Sequence, residues 1–301
     1  MNTAAPETSQ TQPARITATL FNDPACPWGY SASPALRAVE WRYRDQIEWN
    51  LVTIGLSDPA DGPPRFDPAT LSGFFVDIRD RYGMPFAVEP KSRTATSSRA
   101  CQAIVATRML QPGYEWRVLR TLQLLQFNTP MLLDDEKNLR AALSSVAGLD
   151  FEAVISALDL PPVQDAYRRD WTEARSASGG ASELQGKTAE YQDGARYTAP
   201  SVIFSRGDSR LEAGGFQKVE VYDAIIANLG PDLMRHPAPE DPLEALALYP
   251  GGLSTQELAT IMTDGNDSPD RPATEKKLVA LHGEGRVRRI AMGSDAIWLT
   301  A

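Results

Sequence analysis

Residues 18–34 read Ala18-Thr-Leu-Phe-Asn-Asp23-Pro-Ala-Cys26-Pro27-Trp28-Gly29-Tyr30-Ser-Ala-Ser-Pro34. A short apolar strand ends at Asp23, and a helix is predicted to begin near Cys26. A thiol at a helix N-terminus meets unpaired backbone N–H groups and the positive end of the helix dipole. Both favour thiolate, so Cys26 is a chemically sound nucleophile with a low expected pKa. A small buried cysteine without a role fits the same residues.

Working outward, residues 15–22 read as a strand. Residues 29–43 carry Tyr30, Leu36, Val39, Trp41 and Tyr43 at helical spacing, with Pro34 marking a kink or the true helical start. Residues 46–54 alternate Ile47, Trp49 and Leu51 and read as a second strand. Strand, helix, strand at this spacing predicts a right-handed parallel crossover. Residues 58–68 are a loop rich in proline and glycine. A short helix is expected over 71–82, an extended segment over 84–90, and a helix capped by Ser97 or Ser98 reaching Leu110. Further helices are predicted over 114–127, 136–145, 151–158 (capped by Asp150), 162–174 and 182–191. Residues 98–191 therefore read as a helical insertion. Sheet character returns over 197–204, a turn covers 205–210, and a last strand ends near Gly215. A helix over 216–229 stops at Gly230-Pro231.

Residues 231–241 hold three prolines and read as a linker. Residues 242–301 read as a separate small domain of three helices and a hairpin; Ser254 and Glu257 match a capping box. That order resembles a winged helix-turn-helix, in which the third helix enters a DNA groove and the wing touches the backbone. Lys276, Lys277, Arg286, Arg288 and Arg289 supply local positive charge. The acidic whole chain instead favours a solvated face on a packing or dimerisation module.

The 301 residues carry a formal net charge of -9 and 42% hydrophobic residues, enough for one large or two modest cored domains. This balance argues against broad binding to nucleic acid or anionic membrane. No apolar run approaches a membrane span. Residues 1–14 are polar, lack the pattern of a secretory signal, and read as a flexible tail on a cytoplasmic protein. Cys26 and Cys101 make no disulfide framework, and Cys101 reads as a packed core residue. His236 and His282 stand outside metal-ligand spacing, so neither zinc nor a Cys-His pair is expected.

The order strand, Cys26-Pro-Trp-Gly29, helix, strand, helical insertion, Thr198-Ala199-Pro200, strand, Glu212-Ala-Gly-Gly-Phe216, helix resembles the DsbA-like branch of the thioredoxin superfamily across about residues 15–230. It is similar to FrnE-type oxidoreductases, kappa-class glutathione transferases and 2-hydroxychromene-2-carboxylate isomerases. The resemblance implies an α/β thioredoxin-like fold with a large helical insertion. It also implies a cis Pro200 beside Cys26, with the Ala199 backbone free to pair with an extended thiol substrate. Dithiol members carry Cys-x-x-Cys, but Gly29 stands at the second position here. Cys26 can form a mixed disulfide that no adjacent thiol resolves.

The leading expectation is a monothiol thiol-disulfide oxidoreductase resolved by a small thiol: mycothiol, glutathione or bacillithiol. Cys26, Trp28 and Pro200 are the expected catalytic group. Pro27, Tyr30, Ala199 and Arg93 are expected at the thiol cofactor, Tyr30 through its hydroxyl and Arg93 (or Arg99) through a guanidinium on a carboxylate. Asp23 would adjust proton balance or cap. One alternative is a thiol-dependent transferase or isomerase with a closed pocket between sheet and insertion. Another is a non-enzymatic redox sensor that binds DNA or protein. A homodimer stays open.

Overall fold

The computed structural model describes residues 15–62, 64–192, 194–265 and 267–301. The expected flexible tail, residues 1–14, lies outside them. The chain opens with β1 (Ile16–Asn22), α1 (Pro27–Ser31), α2 (Ser33–Tyr43) and β2 (Ile47–Thr53). Then come α3 (Pro68–Tyr82), α4 (Ser98–Leu110), α5 (Glu115–Asn128), α6 (Glu136–Ser144), α7 (Phe151–Ala157), α8 (Pro161–Ala174) and α9 (Ala181–Leu184). The hairpin β3 (Thr188–Tyr191) and β4 (Gly194–Tyr197) leads into β5 (Ser201–Arg206), β6 (Ser209–Ala213) and α10 (Val219–Leu229). Last are α11 (Pro242–Leu248), β7 (Leu253–Ser254), α12 (Thr255–Ile261), α13 (Arg271–Gly283), β8 (Val287–Met292) and β9 (Asp295–Thr300).

The main sheet has the order β2-β1-β5-β6. β1 pairs with β2 in parallel, Ile16 facing Ile47, and with β5 antiparallel, Leu20 facing Val202. Alternation along β1 sends Ile16, Ala18 and Leu20 into one core with Val39, Leu51, Val202 and Phe204. Ile104, Val118, Leu122, Leu139 and Val154 from the insertion join that same cluster, so sheet and insertion share one interior. Phe21 points to the other face, where it meets Cys26, Val52 and Tyr197. This is a thioredoxin-like α/β fold with a large helical insertion.

Several expected boundaries shift for local reasons. The helix expected over 29–43 is two helices, and Pro34 stands in the first turn of the second, where its missing N–H breaks no bond. Ser97 precedes α4 but does not cap it, because its hydroxyl donates to Asp23 instead. The helix expected over 182–191 ends at Leu184, and Thr188–Tyr191 pairs with Gly194–Tyr197. Gly186 at φ +64 turns the chain between them. The turn expected over 205–210 shortens to Gly207-Asp208 between two paired strands. The last helix of this half begins at Val219 rather than Phe216, whose ring instead packs on Tyr82 at 4.3 Å.

After α10, residues 231–241 hold no helix or strand, yet they are tied to α2: Trp41 donates to the Pro237 carbonyl and the His236 amide to that of Arg42, both at 2.8 Å. The strands beyond form an antiparallel sheet, β7-β9-β8. Leu246, Leu253, Leu258, Leu278, Val287 and Trp298 bury themselves together with Trp41 of α2. Glu257 of α12 is fully buried and pairs with Arg120 of α5 through two hydrogen bonds of 2.7 Å; Ser33 also donates to it. The turn between β8 and β9 is pressed against the insertion half. A Cβ at Gly293 would lie 2.6 Å from the Phe86 backbone, and Ser294 accepts the Phe86 amide. The tip of this hairpin packs on Phe86–Ala87, Lys277 donates to the Glu240 carbonyl, and Arg289 lies over Trp298.

Candidate active site

The end of β1 and the start of α1 fix Cys26. Asp23 closes a turn by accepting the Cys26 amide on its carbonyl, and its carboxylate accepts the Ala25 amide. Cys26 is then the N-cap of α1, and Pro27 opens the helix at its first position. The sulfur accepts the Gly29 N–H at 3.4 Å and donates its proton to the Ala199 carbonyl at 3.1 Å. The Ala199–Pro200 peptide is cis. Cys26 is only 5% exposed, whereas Trp28 is 46% exposed; both line a cleft with Thr198 and Ala199. The Ala199 carbonyl, expected to be free for a substrate, is taken by the thiol in this state.

The expected low pKa of Cys26 is also corrected. Burial pushes the thiol up to about 12; the Gly29 N–H opposes this, and the nearby Asp23 charge adds to it. Desolvation outweighs the helix terminus because the sulfur has almost no water around it. The Arg196 charge favours the thiolate to a lesser extent. The resting group is therefore a neutral thiol. Its alkylation by iodoacetamide is expected to rise about tenfold per pH unit between about pH 7 and 10, following the thiolate fraction. A rate that plateaus near pH 7 would contradict this.

Asp23 is fully buried and gathers four donors: the Ala25 and Leu56 amides, the Ser97 hydroxyl and the Cys101 thiol. It fastens the β1 turn to the loop after β2 and to the start of α4. Burial still raises its pKa. Cys101 is fully buried and its thiol faces this carboxyl at 3.4 Å; burial and the Asp23 charge hold it protonated. Both cysteines are free thiols.

Of the residues named for the cofactor, Ala199 lines the cleft and the others do not. Tyr30 is fully buried, its ring between Phe86 and Phe127, its hydroxyl donating to the Pro85 carbonyl and accepting from Asn128. An aromatic one helical step past the rim turns inward, because α1 buries that face. Arg93 pairs with Asp134, and Arg99 with Asp159, outside the cleft. Pro27 and Pro200 support the turns without lining the cleft. The cleft itself, expected between sheet and insertion, runs from Cys26 past Phe216–Val221 to Gln256, Thr260 and Thr263 of the C-terminal segment.

Sequence reading missed Asn22, Lys187, Arg196 and Lys218. Asn22 is buried, and its side-chain oxygen accepts the Asp23 amide at 2.8 Å. A Cβ on Gly29 would lie 2.0 Å from that oxygen. Asn22 thus fills the volume beside the position where a second cysteine would stand. Gly29→Ala is expected to destabilise by about 1–3 kcal/mol by overpacking, although alanine is the better helix former. In an Asn22→Ala background the same change should be neutral or stabilising; urea unfolding of the four proteins decides it.

A sulfur at the first helix turn after β1, facing the turn before β5 across a four-stranded sheet, defines a thioredoxin-fold thiol protein. Residues 17–178 match the DSBA-like thioredoxin domain, and the chain belongs to that family. Among solved structures it is similar to a proposed protein disulfide isomerase from Nitrosomonas europaea (12% identity, TM-score 0.54, covering 71% of this chain and 97% of that one). A proposed DsbA oxidoreductase from Streptomyces coelicolor is similar at 15% identity and TM-score 0.52, over 72% of this chain and 91% of that one. The cytosolic disulfide reductase DsbM from Pseudomonas aeruginosa is similar at 16% and 0.50, over 70% and 97%. These likenesses concern the fold. No curated protein matches. No helix of the described residues is long and apolar enough to cross a membrane, and none of their His, Cys, Asp and Glu side chains cluster as metal ligands.

Proposed function

We propose that the protein is a monothiol thiol-disulfide oxidoreductase that uses Cys26 and a low-molecular-weight thiol as the resolving partner. The observation that carries this reading is the pairing of an N-cap thiol with Gly29, where Asn22 fills the neighbouring volume. Cys101 turns its thiol to the Asp23 carboxyl, and this reading gives it no part in resolving the adduct. A reducing compartment suits such a cycle, and cytosolic disulfide reductase is the description of the similar Pseudomonas aeruginosa protein.

In the first step the Cys26 sulfur loses its proton and attacks one sulfur of a disulfide. A Cys26–S bond forms, the original S–S bond breaks, and the leaving thiolate takes up a proton. A small thiol then attacks the partner sulfur of the mixed disulfide. Cys26 leaves as thiolate, and a new disulfide carries away the small thiol. Its sulfur is oxidised and the first leaving sulfur is reduced, so electrons balance. Substrate binding breaks the Cys26–Ala199 contact, placing the substrate sulfur at the helix N-terminus.

The test is mass spectrometry after exposure to oxidised glutathione, oxidised bacillithiol and oxidised mycothiol. One adduct at Cys26, released by the matching reduced thiol, is the expected result. No adduct, or one confined to Cys101, would refute the reading.

A further inference from the structure

The cleft that contains Cys26 has a volume of about 1080 Å³, the scale of a small-molecule site. Arg81, Lys187, Arg196 and Lys218 line it, and none has an ion pair among the described residues. Among the described residues, Glu220 and Asp267 alone bring negative charge to the same walls. In a chain of net charge -9 this is a local reversal of sign. Elsewhere the arginines are mostly matched with carboxylates: Arg42, also on this cleft, pairs with Asp223. Arg42 further donates to the Thr263 and Gly265 carbonyls at 3.2 Å, and so holds that C-terminal loop against the cleft. Arg196 sits on β4, close enough to Cys26 for its charge to act on the sulfur, and its side chain donates to the Tyr197 carbonyl. Lys187 and Lys218 stand beside the Thr198 turn and at the start of α10, both exposed.

We propose that this cleft binds a small thiol carrying carboxylate arms, with the C-terminal segment forming part of the binding wall. The inference rests on the reading of Cys26 as the reacting sulfur and narrows its partner. Glutathione and bacillithiol carry carboxylates; mycothiol is built on uncharged sugars. An anion between Lys187, Lys218 and Arg196 gains charge-assisted hydrogen bonds in a partly desolvated site, where they are stronger than in open water. A sugar would leave those cations without a counter-charge. Trp28, on the same wall, offers the apolar contact for the ligand's methylene chain.

Calorimetric titration of the full chain with S-methylglutathione and S-methylmycothiol tests this. Neither ligand can exchange, so binding is read apart from the chemistry of Cys26. The carboxylate ligand is expected to bind at least tenfold tighter, with affinity falling as salt rises. The Lys187→Gln/Lys218→Gln double variant, altered only at exposed positions, is expected to lose at least tenfold. Asp267→Asn removes a like charge from the C-terminal wall and is expected to tighten binding about two- to fivefold. Equal affinity for the two ligands, or an unaltered affinity in the lysine variant, would overturn the proposal. An unaltered affinity in Asp267→Asn would remove the C-terminal segment from it. Preferential binding without a Cys26 adduct would sink the redox reading alone; an adduct without preference would sink this inference alone.

Discussion

Arg120→Met is expected to lower the unfolding free energy by about 3–5 kcal/mol, the cost of leaving a buried charge without its partner. Glu257 is fully buried and takes both guanidinium nitrogens of Arg120. Burial alone would raise its pKa, but the Arg120 charge and hydrogen bonds, aided by Arg37 and Ser33, hold it at about 2. Removal of the guanidinium reverses that balance. Replacing both partners with apolar residues, Arg120→Met with Glu257→Leu, should restore much of the loss, because no charge is left to desolvate. The sign with pH follows. An unfolded glutamate titrates near about 4.3, and the folded value lies below it. The pair's contribution is therefore fully present above about pH 4.3 and fades as pH falls towards about 2. Urea unfolding from pH 7 to 2.5 should show the wild type losing more stability in that window than the double variant. Equal slopes would count against the pair as the cause.

Cys26→Ser is expected to abolish exchange with small disulfides, a loss of at least about a thousandfold, because a serine hydroxyl is not deprotonated near neutral pH and forms no mixed disulfide. Folding should survive: the hydroxyl can accept the Gly29 amide and donate to the Ala199 carbonyl as the thiol does. Cys101→Ser is the contrasting control. Its position is fully buried and its partner is Asp23, so it should lose stability while keeping the Cys26 adduct. Stopped-flow mixing with oxidised glutathione, followed by intact mass, separates the two. Residual exchange in Cys26→Ser would assign the chemistry to Cys101.

The fold was legible wherever a period in the sequence coincided with a buried face. The alternation through Ile47 and Leu51, and the helical spacing from Leu36 to Tyr43, describe core contacts the structure makes. Ser254 and Glu257 signal a helix start by local chemistry alone, and both halves of the capping box are present. Legibility failed where long-range contacts decide. Residues 188–191 have no helix-breaking signal, yet pairing with residues 194–197 makes them a strand. Tyr30 follows the motif so closely that a role in it is natural; only the packing of Phe86 and Phe127 turns it inward. The helix start at Cys26 was readable, but its electrostatic outcome was not. The sulfur is buried beside Ala199, distant in sequence, whose carbonyl accepts a hydrogen bond from the thiol. Likewise Lys187, Arg196 and Lys218, apart in sequence, line one cleft only in the folded chain.

The close approach of Asn22 to Gly29 couples the two positions. A single substitution that installs cysteine at residue 29 strikes the Asn22 oxygen, and a smaller residue at position 22 alone leaves the Asp23 amide without its acceptor. Each step by itself is a loss, and only the pair opens room for a second sulfur. Room for a second sulfur at position 29 therefore depends on the residue at position 22, and substitutions at the two positions are expected to be non-additive.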